Sequence, residues 1–157
     1  MPNTPPDILL IILDTQRRDR LSVYGGIPHE TSPHFDAFAS QAALFERAIS
    51  PAQWTIPAHA SIFTGVYPTT HQLTQSYHAL SGSYPTLAEI LQAGGYQTVG
   101  FCNNPLVGLL NNELQRGFGE FYNYAGTAPN RPQDVTRGRI RRALDRRWRR
   151  FSRRVGN

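Results

Sequence analysis

The chain has 157 residues, long enough to bury one hydrophobic core, and its 39% hydrophobic and 17% charged residues are typical of a globular protein. All 16 basic residues are arginine, and the 11 acidic residues leave a formal net charge of +5. A single cysteine excludes an intrachain disulfide. No apolar run is long enough to cross a bilayer, and no full signal peptide is present, so a cytoplasmic location is expected.

The first predicted element is a buried strand near the N-terminus. Residues 8–13 form a short, uninterrupted run of Ile and Leu, which is typical of a strand covered on both faces in a parallel sheet. Asp14 then falls at the carboxyl end of that strand, where ligands bind in open α/β sheets. Its carboxylate is a candidate ligand for a hard divalent cation, or alternatively a cap for the next element.

Further helices and strands are predicted to alternate along the chain. Apolar spacing and capping residues predict helices over residues 33–42 and 86–93, and apolar runs predict strands over 44–49 and 97–101. This alternation favours a parallel α/β sheet flanked by helices.

A short helix is predicted to begin at Thr55. Pro57 suits a first helical turn, and Gly65 followed by Pro68 predicts the end of the helix. The Thr55 hydroxyl either caps this helix or lies where a sulfate or phosphate would bind, because free amides and the positive end of the dipole meet there.

The charge divides sharply along the chain. Residues 1–130 contain 5 Arg and 9 acidic residues, whereas residues 131–157 contain 11 Arg and 2 acidic residues. Apolar residues at spacings of three or four within 137–155 predict a basic amphipathic helix. Such a helix could bind an anionic membrane surface, contact nucleic acid, or dock on other parts of a longer protein. Docking is favoured, membrane contact follows, and nucleic acid is the least favoured.

An ordered series of short motifs links this chain to a known family. They occupy residues 7–15, 17, 19, 24–25, 31–36, 45–48, 55–68, 71, 85–91, 94–98 and 116–118. In this order they resemble the N-terminal part of the sulfatase family, within the alkaline phosphatase superfamily. The resemblance implies an alkaline-phosphatase-like α/β fold, of which residues 1–126 would form the N-terminal portion. Residues 127–157 are expected to be an Arg-rich linker and the basic helix.

The resemblance also implies a chemistry. Family enzymes cleave sulfate or phosphate esters with an oxygen nucleophile activated by a divalent metal. Thr55 aligns with the nucleophile and Asp14 with a metal ligand, and Thr55 would also contact the metal. Calcium is the favoured ion, with manganese, magnesium or zinc as alternatives.

The nucleophile segment departs from the usual family pattern. Typical sulfatases read Cys-x-Pro-x-Arg, with the Cys oxidised to formylglycine, whereas Thr55 and His59 stand at the first and fifth positions here. Oxidation of Thr would give a ketone, so this chemistry is not expected. His59 is a candidate donor to a bound oxyanion, or a residue that packs on the helix. His71 is a candidate donor to an ester oxygen or leaving group, or a surface loop residue.

Two hypotheses follow for the function. The first is a sulfatase-like hydrolase or phosphotransferase part, inactive alone because a C-terminal half with further metal ligands would be missing. The second is a non-catalytic remnant that binds an anionic membrane or nucleic acid through its Arg-rich end. Sulfate and phosphate esters both remain candidate substrates.

Overall fold

Most of the regular structure in this protein follows residue 50. The computed structural model describes residues 5–124 and a two-residue strand at 133–134. The chain divides into two compact units, Met1–Ile49 and Ser50–Asn157. The expected boundary at residue 126 and the basic helix after it lie outside the described residues.

The first unit contains one α-helix and two 3₁₀ turns. The turns cover Arg18–Arg20 and Ser22–Tyr24, and α1 covers Pro33–Ala39. The carboxylate of Asp36, in the first turn of α1, accepts hydrogen bonds from the Ser32 hydroxyl and the Val23 amide. These bonds hold the second 3₁₀ turn against α1, and the predicted helix start at Pro33 is confirmed.

The two strands predicted within the first unit do not form there. Residues 8–13 lie in no strand, and five of their six side chains are 52–84% exposed. Residues 44–49 likewise lie in no strand, and Phe45 and Ile49 are exposed. The prediction of a buried strand before Asp14 is therefore wrong for this structure. A strand needs a neighbour to satisfy its backbone, and the described part of this unit supplies none.

The second unit begins with two consecutive helices. α2 covers Thr55–Thr64 and ends at Gly65, whose φ of 72° is the left-handed conformation that ends many helices. α3 is a single turn, Pro68–His71. The predicted helix limits at Thr55 and Gly65 are confirmed.

A small mixed sheet follows the fourth helix. α4 covers Leu87–Ala93, β1 covers Val99–Cys102, and a short α5 covers Pro105–Gly108. β2, Glu120–Asn123, pairs parallel with β1, with Val99 opposite Glu120, and β3, Gln133–Asp134, pairs antiparallel with β2. The strand order is β1-β2-β3. The predicted α/β class is thus confirmed at the level of a mixed structure with one parallel strand pair.

The start of α4 is fixed by a reciprocal capping pair. The Thr86 hydroxyl accepts from the Glu89 amide at 3.2 Å, and the Glu89 carboxylate accepts from the Thr86 amide at 2.8 Å. Arg116 adds an ion pair, its Nε lying 2.7 Å from Glu89 Oε1. This network anchors α4 to the segment that leads into β2.

The core of the second unit lies around α2. Its buried apolar residues come from α2, α5 and the loops between the helices: Ile56, Ala60, Leu73, Leu80, Val107 and Leu114. Because Ile56 and Ala60 are fully buried, α2 is held rigidly along one face. The residues at its N-terminus are therefore carried by a well-packed element.

Candidate active site

Thr55 is the first residue of α2. The N-cap residue is Trp54, whose backbone is extended. The N-cap therefore lies one position before Thr55, which the sequence offered as the cap. The first hydrogen bond of the helix joins the Ala58 amide to the Trp54 carbonyl at 3.3 Å. The Ile56 amide comes before Ala58 in the chain and therefore has no partner within the helix, and Pro57 has no amide hydrogen. A half-buried hydroxyl thus lies at the positive end of a helix dipole, an environment that favours an anion.

His59 lies one turn after Thr55 on the same helix. Its Nδ1 is 2.8 Å from the Thr55 carbonyl oxygen, and since a carbonyl only accepts, Nδ1 carries the proton. The side chain is buried, and its ring packs edge-on against Phe63 with 6.0 Å between the ring centroids. In the neutral ring Nε2 holds the lone pair, so any proton that His59 accepts is bound at Nε2.

His71, the last residue of α3, is buried against α2. Its Nδ1 accepts a hydrogen bond from the Leu73 amide at 2.9 Å, which leaves the proton of the neutral ring on Nε2. Nε2 donates to the Ser61 hydroxyl at 3.0 Å. Burial lowers the pKa of His71, and hydrogen bonds with the backbone of Pro57 and of His71 itself only partly oppose that shift. The imidazole is therefore held neutral at pH 7.

The structure brings three of the predicted site residues onto one pair of helices. Thr55 and His59 share α2, and His71 reaches the same helix from α3. Sequence reasoning missed Ser61, the partner of His71. Its position four residues after the buried Pro57, on the same side of the helix, was the available signal.

Comparison with known families decides the family to which this chain belongs. The profile of the Sulfatase family matches residues 6–151, which is most of the chain and includes the whole α2–α3 segment. This chain belongs to the Sulfatase family. The predicted resemblance is thereby confirmed, and the matched region includes the start of α2.

Individual sulfatases match a similar part of the chain. An ulvan-active sulfatase from Formosa agariphila is 37% identical over 60% of this chain and 18% of its own length. An arylsulfatase from Clostridium perfringens is 34% identical over 59% of this chain and 19% of its own length. The iduronate 2-sulfatase of Mus musculus is 32% identical over 59% of this chain and 17% of its own length.

The match covers a small share of each relative. The chain spans about a fifth of the length of these sulfatases. No solved structure gives a significant match. Among the described residues, no helix combines the length and apolar character needed to cross a membrane.

Asp14, the predicted metal ligand, belongs to the first unit, whereas Thr55 belongs to the second. Asp14 is exposed and begins a turn, in which Thr15 has a φ of 63° and donates its hydroxyl to the Asp14 carbonyl at 2.6 Å. The expected position at the end of a strand is therefore not observed.

The described residues do not complete a divalent-metal site. Within residues 5–124 no group of three or more His, Cys, Asp or Glu side chains lies close enough together to hold an ion. A calcium ion usually takes about 6–8 oxygen ligands, and magnesium requires a near-octahedral set. The candidate metal ligands Asp14 and Thr55 would thus need further ligands from outside the described residues to bind a metal.

Proposed function

We propose that this chain carries the nucleophile of a sulfatase-like hydrolase of sulfate or phosphate esters, and that Thr55 is that nucleophile. The proposal is supported by one observation above the others. Thr55 stands at the first turn of a well-buried helix, in the segment that matches the Sulfatase family. In this proposal Asp14 is a metal ligand, and the activity belongs to a protein that includes further ligands.

The proposed reaction has two steps at Thr55. The Oγ atom attacks the sulfur or phosphorus of the ester and loses its proton, so that a bond to Oγ forms while the bond to the alcohol oxygen breaks. The departing alcohol oxygen takes up one proton and leaves as the alcohol. Water then attacks the sulfur or phosphorus, its oxygen stays with the released sulfate or phosphate, and one of its protons returns to Oγ of Thr55. The helix N-terminus contributes its dipole to the charge that develops on the oxyanion.

His59 supplies the proposed site with an imidazole in place of the Arg of the usual family pattern. Its Nδ1 proton is bound to the Thr55 carbonyl, so Nε2 is the ring nitrogen left to contact an oxyanion. An Arg at this position would instead provide a permanent charge and a bidentate fork.

The proposed metal is a divalent cation, with calcium favoured over manganese, magnesium and zinc. Such an ion lowers the pKa of a bound hydroxyl and polarises an ester oxygen. The described residues alone do not fit it, so no step of the proposed reaction at Thr55 is built on its position.

Different observations favour a sulfate ester and a phosphate ester as the substrate. The relatives are named as sulfatases, one active on ulvan and another on iduronate, which favours a sulfate ester. A secondary alcohol as nucleophile favours a phosphoester, because Thr cannot give the formylglycine on which sulfatases of the Cys type depend. A direct comparison of substrates would decide between them.

The test is turnover of 4-nitrophenyl sulfate, 4-nitrophenyl phosphate and bis(4-nitrophenyl) phosphate with each candidate metal. It should use this chain and any longer reading frame that contains it. We expect metal-dependent turnover to fall about 100-fold or more in Thr55→Ala. Thr70→Ala is the matched control, since Thr70 is exposed on α3. Turnover by a longer frame that survives Thr55→Ala, or no turnover of any substrate by such a frame, would overturn the proposal.

A second candidate function rests on the arginine-rich end. Eleven Arg among residues 131–157 would favour binding to anionic membranes in a protein that lacks catalysis. Sedimentation with phosphatidylglycerol vesicles, compared with phosphatidylcholine vesicles, tests this function independently of turnover. Binding to the anionic vesicles alone, without turnover by a longer frame, would favour it over hydrolysis.

A further inference from the structure

Ser61 and His71 form a buried hydrogen-bonded pair between α2 and α3. The two side chains are 8% and 3% exposed, and the Nε2–Oγ distance is 3.0 Å. On its other side the His71 ring accepts from the amide of Leu73, a fully buried core residue. The ring therefore connects α2 with the core segment that follows α3.

The contacts of His71 extend to the first turn of α2. The backbone of Pro57, in that turn, raises the pKa of His71 and so partly opposes the effect of burial. The hydrogen bond with Ser61 lies one turn later. The His71 ring thus contacts α2 at Ser61, one turn after the turn that carries the proposed nucleophile.

The local backbone explains how His71 comes to lie there. α3 is a single turn that ends at Gln72, whose φ of 58° is left-handed. This conformation reverses the chain directly after His71 and presents the Leu73 amide to Nδ1. A left-handed non-glycine residue is uncommon, and it is maintained only when the surrounding contacts repay its strain.

A proton donor in a reaction needs a ring nitrogen that reaches the substrate. In His71 both ring nitrogens are bonded to the protein and almost no surface is exposed. We propose that His71 is a positioning residue, which together with Ser61 clamps α2 against the core segment after α3 and so fixes the place of Thr55. The clamp follows from the contacts themselves, whereas its meaning for catalysis rests on the proposed function of Thr55.

Hydrogen–deuterium exchange read by mass spectrometry tests the clamp in the full chain. Four variants separate its features. His71→Gln keeps one donor and one acceptor, His71→Leu keeps only apolar volume, Ser61→Ala removes the partner, and His78→Gln is the matched control. The peptide over 55–64 reports on α2, and the peptide over 87–93 reports on α4.

We expect exchange over 55–64 to rise about tenfold in His71→Leu and in Ser61→Ala, with 87–93 unchanged. His71→Gln and His78→Gln should exchange like the wild type. Wild-type protection in His71→Leu would reduce the role of the ring to packing and overturn the clamp. Equal loss of protection over both peptides in Ser61→Ala would also overturn it, because the effect would then be global.

The catalytic part is tested separately from the proposed function. In an active longer frame, His71→Gln should retain turnover within about threefold, because Gln preserves the contacts. A loss of turnover in His71→Gln with 55–64 still protected would identify His71 as a proton donor and overturn the proposal. Turnover unaffected by Thr55→Ala would instead overturn the function of Thr55 and leave the clamp standing.

Discussion

The Nδ1 atom of His59 lies 2.8 Å from the carbonyl oxygen of Thr55, one helical turn before it. The side chain is thereby folded back along its own helix and buried against Phe63. An Arg in the same place would carry a permanent charge on a longer side chain and could not reproduce the edge-on ring contact with Phe63. The start of α2 is thus built around a buried imidazole, which distinguishes it from the Cys-x-Pro-x-Arg pattern of typical sulfatases.

This difference predicts the modification state of residue 55. In a host that oxidises Cys-type sulfatases, the wild-type peptide over 55–64 should keep the mass of unmodified Thr, because Thr cannot give an aldehyde. The double variant Thr55→Cys/His59→Arg restores the family pattern and should carry formylglycine, as read by mass spectrometry of the peptic peptide that contains residue 55. Thr55→Cys alone is the control, and it should be modified much less. An oxidised residue 55 in the wild type would contradict the prediction.

The helices of the second unit were predictable because their signals are local. Pro57 suits the first turn of α2 and Gly65 ends the helix, through φ preferences that need no tertiary partner. Thr86 and Glu89 likewise form the capping box three residues apart. These elements could be read from the sequence to within about two residues.

Whether residues 8–13 form a strand could not be predicted in the same way. An apolar run such as residues 8–13 becomes a strand only where another strand pairs with it, and its sequence does not say whether one is present. The Ser61–His71 contact was missed for a related reason. It joins residues ten positions apart, which the left-handed turn at Gly65 and the start of α3 at Pro68 bring together.

His71 predicts how the stability of the second unit depends on pH. Its pKa is lowered in the folded protein, chiefly by burial, so the unfolded chain binds a proton at a higher pH than the folded one. The stabilisation is complete above the unfolded pKa of about 6.5 and is lost as the pH falls toward the folded pKa. Urea unfolding at pH values from about 7.5 down to 5 should show this loss of stability in the wild type and not in His71→Gln. A parallel decline in both would assign the pH dependence to other groups.

Gly117 predicts a large effect of a single methyl group. Its φ is +87°, and a Cβ there would lie 2.2 Å from the Glu89 amide nitrogen and 2.7 Å from the Ala88 carbonyl carbon. Both contacts are with backbone that the Thr86–Glu89 capping box holds in place, so neither can move cheaply. Gly117→Ala should lower the free energy of unfolding by about 3 kcal/mol, because left-handed strain and overlap add together.

Gly82→Ala provides the comparison for this prediction. A Cβ at Gly82 would meet nothing within 4 Å. The free energy of unfolding should therefore change by no more than about 0.5 kcal/mol in denaturant titrations. Equal effects of the two substitutions would show that the approach of Gly117 to α4 is not a tight contact in solution.

The exposed apolar run at residues 8–13 predicts self-association of the chain. Leu9 is 84% exposed and Ile11 68% exposed, within a charge-free segment whose backbone is paired with no strand among the described residues. Such a segment can pair with its copy in another molecule, because each copy satisfies the backbone of the other and buries apolar side chains. Sedimentation velocity at micromolar concentration should show oligomers or aggregates of the wild type.

A charge within the run should suppress this association. Leu9→Lys places an ammonium group in the segment and should increase the monomer fraction about tenfold or more, since burying an unpaired charge between copies is costly. Ile49→Lys is the control, because Ile49 is 89% exposed but lies outside the run. A wild-type chain that sediments as a monomer and melts in one sharp transition would contradict the prediction. The run would then be satisfied within a single molecule, and the search for its partner would move to residues outside 5–124.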